Sequence, residues 1–153
     1  MTVRMELSRI LIRELVDHQI IELRELGASK AFETASDDLA SGDDVRTFPI
    51  VIGLPEAQAI ERRLKGVKIL RPQTHDLLHS VIESLGASLV SVHITDLNDH
   101  TFYAQLRVRK ADGEVVEIDS RPSDAIALGI GGGVPIFVEE HVLDSAARDP
   151  EDD

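Results

Sequence analysis

The 153-residue chain has no cysteine and no tryptophan, and only one tyrosine and four phenylalanines. Without cysteine there can be no disulfide, thiolate zinc site, iron–sulfur cluster or cysteine nucleophile, and the absence fits a reducing compartment. With aromatics at 3%, the core must be aliphatic. The usual stacking platform for single-stranded nucleic acid is also missing. No run of about 18 apolar residues exists, so no membrane-spanning helix is expected. The first residues, Met1-Thr2-Val3-Arg4-Met5-Glu6, carry charges where a secretion signal needs an apolar stretch. These absences together predict a cytoplasmic protein with no membrane contact.

What is present suits one folded domain. The length allows most apolar surface to be buried, and an apolar fraction of 42% is ordinary for a globular chain. The formal charge of −12 is unevenly spread. Residues 27–45 and residues 144–153 each carry a net −4, leaving −4 for everything else. The folded body is therefore only mildly acidic, and nucleic acid remains an admissible partner. A domain over 1–147 is expected, interrupted by an acidic loop at 27–45 and followed by a disordered acidic tail at 148–153.

Residues 3–26 carry Leu7, Ile10, Leu11 and Leu15 at helical spacing, but turn chemistry at 16–19 favours a strand pair, and Arg46–Gly53 is a short β-branched strand whose Pro49 argues for a sheet edge or irregularity. Pro55 opens a helix to about Lys65, stopped by Gly66. Thr74 reads as the cap of a second helix with an apolar stripe of Leu77, Leu78, Val81, Ile82 and Leu85, ended by Gly86. Three strands follow (89–94, 101–109 and 114–118), then a helix from Pro122, a glycine cluster, a strand at 134–138 and a short helix at 139–147. Strands and helices lack regular βαβ alternation. The fold class is therefore α+β, with a mixed or antiparallel sheet.

Four local patterns could carry chemistry. Arg62, Arg63, Lys65, Lys68 and Arg71 place five positive charges in ten residues, which suits phosphate binding or simply a solvated face. His75-Asp76-Leu77-Leu78-His79 puts two histidines on one helix face, as in the zincin motif. Asp stands where that motif has Glu, and its shorter side chain would withdraw a general base from a metal-bound water. Glu117 to Asp124 gathers carboxylates, hydroxyls and a guanidinium where a strand runs into a helix. Those are the parts for a hard cation and a phosphate, and equally for ordinary capping. Gly129 to Gly133 follows a helix and lacks a Lys-Ser/Thr, so it reads as a helix stop.

Five segments, in order and spacing, resemble the bifunctional nuclease family. They are Gly53-Leu54-Pro55-Glu56-Ala57-Gln58-Ala59-Ile60, Arg71-Pro72-Gln73-Thr74-His75-Asp76-Leu77-Leu78, Thr101-Phe102-Tyr103-Ala104, Ile118 to Ile126, and Pro135-Ile136-Phe137-Val138. The resemblance spans roughly residues 3–147. It implies an α+β fold that tends to self-associate and an activity on RNA and DNA. Two departures stand out: the long acidic loop at 27–45 and the glycine cluster at 129–133.

Chemistry placed on these segments predicts a low-specificity, metal-assisted nuclease. Asp119, Asp124 and Glu56 would hold magnesium or manganese. His75 would serve acid–base chemistry, Asp76 is a further catalytic candidate that could add to the metal ligands, and Arg121 with Asp124 would act at the phosphate. Arg62, Arg63, Lys65, Lys68 and Arg71 would bind the RNA or DNA substrate. The rival expectation is a non-enzymatic domain that binds an anion or a protein partner, and a homo-oligomer is expected under either.

Overall fold

The computed structural model describes residues 1–13, 15–26 and 45–146. The expected acidic loop (except residue 45) and the tail lie outside the described residues. The strands are β1 (Thr2–Leu11), β2 (His18–Glu25), β3 (Thr47–Gly53), β4 (Ser88–Asn98), β5 (Thr101–Arg109), β6 (Val115–Ser120) and β7 (Ile136–Glu139). The helices are α1 (Leu54–Lys65), α2 (Thr74–Ser84), α3 (Pro122–Ile130) and α4 (Glu140–Ala146). The fold is α+β, as expected.

The strands form one seven-stranded sheet in the order β3-β2-β1-β7-β4-β5-β6. Neighbours are antiparallel except β4 and β7, which run parallel. Pro49 lies in edge strand β3, where its missing N–H costs no ladder bond. Alternation sets the buried row: Ile21 and Leu23 of β2, Phe48, Ile50 and Ile52 of β3, and Ala104, Leu106 and Val108 of β5 are all buried. Phe48 and Phe102 stack at 5.6 Å between centroids. In a flat sheet β3 and β5 would stand roughly 24 Å apart, at about 4.8 Å per neighbour. The sheet must therefore curl until its two halves share one core.

Helix α3 lies in that core. Ala125, Ile126, Ala127 and Leu128 are all buried, so the helix is covered on every side. It packs on α1, α2, β4 and β5. Gly66 ends α1 at φ 66°, a left-handed conformation that glycine enters without Cβ strain. Helix α2 departs from expectation in two ways. Its cap is Gln73, with Thr74 already helical. Its apolar stripe faces outward: Leu77, Leu78, Val81 and Leu85 are exposed, and only Ile82 packs against the core. Strand β4 also runs on through Asp96 to Asn98 of the expected turn, and the reversal comes at Asp99-His100, both with positive φ.

Candidate active site

Three helices begin at one cleft. Pro55 and Glu56 stand in the first turn of α1, and Thr74 and His75 in that of α2. Arg121 and Asp124 flank the start of α3, and all six line a cavity of about 610 Å³. The starts of α1 and α3 have no side-chain cap, and all three starts bring the positive ends of their dipoles to the cleft, which together favours an anion. Pro55 and Pro122 explain two of these starts, since proline is tolerated where the N–H has no helical partner. At the α1 start a Cβ on Gly53 would lie 2.4 Å from a Glu56 carboxylate oxygen. Glycine at that position lets the Glu56 side chain fold back over the turn.

The side chains at the helix starts are wired to one another. Arg121 Nε donates to Asp124 Oδ2 at 2.8 Å, and Arg121 Nη2 donates to Glu56 Oε1 at 3.3 Å. Asp124 Oδ1 lies 3.0 Å from His75 Nε2. Burial pushes the Asp124 carboxyl up, but the bonds from Arg121 and His75 outweigh it and hold the pKa below the usual range. Its bond to Asp124, and then its attraction to the same carboxylate, raise the Arg121 pKa in turn. Arg121 is still 64% exposed, so its guanidinium can meet a ligand, whereas His75 is only 13% exposed.

Asp76, expected as a catalytic or metal-binding candidate, is engaged by three donors away from the cleft. Arg63 Nη1 donates to its Oδ1 at 2.7 Å, Arg62 Nη2 to its Oδ2 at 3.2 Å, and the Gln73 N–H to Oδ2 at 3.1 Å. The carboxylate thus caps α2 and ties it to the end of α1. Arg63 reaches on to the Leu128 carbonyl at 3.2 Å, joining α3 to the same knot. Asp76 is therefore a positioning residue for the helix that carries His75.

The basic cluster is split. Arg62 and Arg63 are 16% and 14% exposed and already neutralised by Asp76. Lys65 is exposed and pairs with Glu61 at 3.6 Å. Lys68 and Arg71 are exposed and unpaired among the described residues, so they are the cations left for a phosphate chain.

The three carboxylates expected to hold a metal, Asp119, Asp124 and Glu56, are not gathered together. Asp119 lies on β6 opposite Gln105, on the sheet face away from the row of Leu106 and Ile118, and does not line the cleft. Glu56 and Asp124 are held by Arg121. One oxygen, Glu56 Oε2, is buried without a partner, but a single free donor does not make a hard-cation site. Among the described residues no three His, Cys, Asp or Glu side chains converge as metal ligands. The zincin pair also separates. His75 faces this cleft, while His79 lines a neighbouring cavity of about 320 Å³ and lies 3.3 Å from Glu83. Gln73 was not anticipated: Arg62 Nη1 donates to its Oε1 at 2.5 Å, a contact no local motif could reveal.

A family model for the bifunctional nuclease domain matches residues 39–151, most of the chain. An uncharacterized protein of Mycobacterium tuberculosis is 46% identical over 107 residues, covering 70% of this chain and 62% of that protein. Bifunctional nuclease 1 of Oryza sativa subsp. japonica is 25% identical over 126 residues, covering 81% and 37% respectively. Bifunctional nuclease 1 of Arabidopsis thaliana is 26% identical over 97 residues, covering 62% and 30%. The chain thus spans under two thirds of the mycobacterial relative and about a third of the plant ones. No helix among the described residues is long and apolar enough to cross a membrane.

Proposed function

The chain belongs to the bifunctional nuclease domain family, and from that premise we propose that the cleft hydrolyses phosphodiester bonds in RNA or DNA with little sequence preference. The observation that carries this reading is the meeting of three helix starts around Arg121, Asp124 and His75. The helix N–H groups and the exposed Arg121 guanidinium would take the phosphate oxygens. Asp124 holds His75 Nε2, so the neutral imidazole keeps its lone pair on Nδ1 as a general base. Water then attacks phosphorus, its proton passes to Nδ1, and the bond from phosphorus to the leaving oxygen breaks. The leaving oxygen takes a proton from solvent. Glu56 would orient Arg121 and release it as the phosphate arrives.

These steps use the chain's own residues, and a magnesium or manganese ion would be the other source of the same water activation. The assay is therefore run on single-stranded RNA and DNA in magnesium, in manganese and in EDTA. The reading expects cleavage to persist in EDTA and to fall about 10²–10⁴-fold in His75→Ala, the scale of a lost general base. Loss of all cleavage in EDTA would transfer the chemistry to a metal. A wild type that cleaves under none of the three conditions would refute the nuclease reading.

A second reading has its own support. Both Glu56 and Asp124 of the cleft bond Arg121 and offset its charge, and the outward stripe of α2 offers apolar area to a partner. A non-enzymatic anion- or protein-binding regulatory domain, alone or as a homo-oligomer, would use those features. It predicts phosphate or partner binding without turnover.

A further inference from the structure

A second cavity, of about 930 Å³, opens on the other side of Arg121. It lies between β3, the Asp99-His100 reversal of the β4–β5 hairpin and the start of α3. Arg121 lines both cavities, and Gly53 and Pro55 line one each, so the two meet along the β3–α1 junction and the first turn of α3. The larger cavity has a different chemistry. Among the described residues, its charged groups apart from Arg121 are the carboxylates of Asp17 and Asp99, which repel a phosphate. Its walls include the half-buried ring of Phe102, held by stacking on Phe48, and the exposed imidazoles of His18 and His100. Val51, in the outward row of β3 and 61% exposed, adds apolar wall. Flat rings and aliphatic wall beside carboxylate acceptors suit a planar heterocycle that carries N–H donors, and the volume lies within the usual range of small-ligand sites.

We propose that this cavity is a nucleobase subsite, holding one base and its sugar while the adjoining phosphate rests on Arg121. The proposal rests on the phosphodiesterase reading of the neighbouring cleft and extends it to the substrate. The base is unstacked from its neighbours, so the strand must be single or locally opened. Stacking on rings is indifferent to base identity, which agrees with low sequence preference. Such a subsite also accounts for substrate holding in a chain so poor in aromatics, because imidazoles serve in place of tryptophan and tyrosine.

The test uses adenosine 5′-monophosphate and inorganic phosphate as probes, titrated calorimetrically into the whole chain and into the double variant His18→Ala/His100→Gly. Glycine is chosen at 100 because His100 holds φ 65°. The nucleotide should bind at least tenfold more tightly than phosphate. The double variant should lose about tenfold for the nucleotide and nothing for phosphate. On a cleavable single strand the same variant should raise KM with kcat unchanged. If nucleotide and phosphate bind alike, or the double variant leaves nucleotide affinity unchanged, the subsite is overturned even where the wild type cleaves. If the nucleotide binds as expected while no strand is cleaved, the subsite stands and the hydrolytic reading falls.

Discussion

Replacing Asp76 by Ala removes the carboxylate that joins α1 to α2, and its consequence can be worked out from the contacts. Three donors lose their acceptor: the Gln73 N–H, Arg62 and Arg63. The cap bond alone is worth about 1 kcal/mol. Removing one partner of a buried ion pair costs about 3–5 kcal/mol, because the remaining charge stays desolvated. The side chains here are 14–19% exposed, and Arg62 and Arg63 keep Gln73 and the Leu128 carbonyl, so the lower end applies. We expect a loss of roughly 3 kcal/mol. At about 2–4 °C per kcal/mol for a chain near this size, Tm should fall by roughly 6–12 °C. Urea unfolding followed by circular dichroism measures the change directly. The double variant Asp76→Ala/Arg63→Met should recover part of the loss, since it removes one stranded charge. The pH dependence adds a second readout. Burial raises the Asp76 pKa, but the Gln73 N–H and the two arginines bring it below 3.8. A lowered folded pKa contributes stability above the ordinary carboxylate range and loses it as pH falls through the folded value. The wild type should therefore lose stability in acid along a slope that the variant lacks. A destabilisation under about 1 kcal/mol, with the acid slope unchanged, would refute the structural role assigned to Asp76.

Three further outcomes follow from the same geometry. Asp124→Asn keeps the side-chain shape but loses the charge that holds Arg121 and His75, so turnover should fall at least tenfold while Tm drops only a few degrees; near-normal turnover would place the chemistry elsewhere. Lys68→Gln and Arg71→Gln should weaken nucleic-acid binding and each flatten the log–log salt slope by about one, whereas Arg62→Gln should act mainly on Tm; a salt slope unchanged in both surface variants would remove them from the binding path. His93, 6% exposed and bonded to Ser91 at 2.9 Å, has its pKa lowered first by burial and then by Arg107, so stability should decline as pH falls below about 6.5, by up to about 1.4 kcal/mol per pH unit; His93→Gln should flatten a melting series from pH 8 to 5, and an identical series would contradict the assignment.

The sequence alone determined the elements. Alternating apolar residues marked the strands, Pro55 and Pro122 marked two helix starts, and Pro49 marked an edge, because these effects act over a few residues of backbone. It also singled out His75, Arg121 and Asp124. What it could not decide was direction and company. Asp76 and His75 are adjacent, yet successive helix residues point about 100° apart, so one entered the cleft and the other the knot with Arg62 and Arg63. Asp119 could have been excluded from the row of Val116, Ile118 and Ser120 by counting along β6, but which row faces the helices is set by the curl of the sheet. The stripe on α2 has the spacing of a core face and no core to meet, because α3 already fills the space beneath the sheet. Partners such as Arg121 and Glu56, 65 residues apart, meet only when strand order and helix packing are complete. Local propensity is written into neighbouring residues; which charges neutralise one another, and which stay free for a ligand, is decided by distances that exist only in the folded chain.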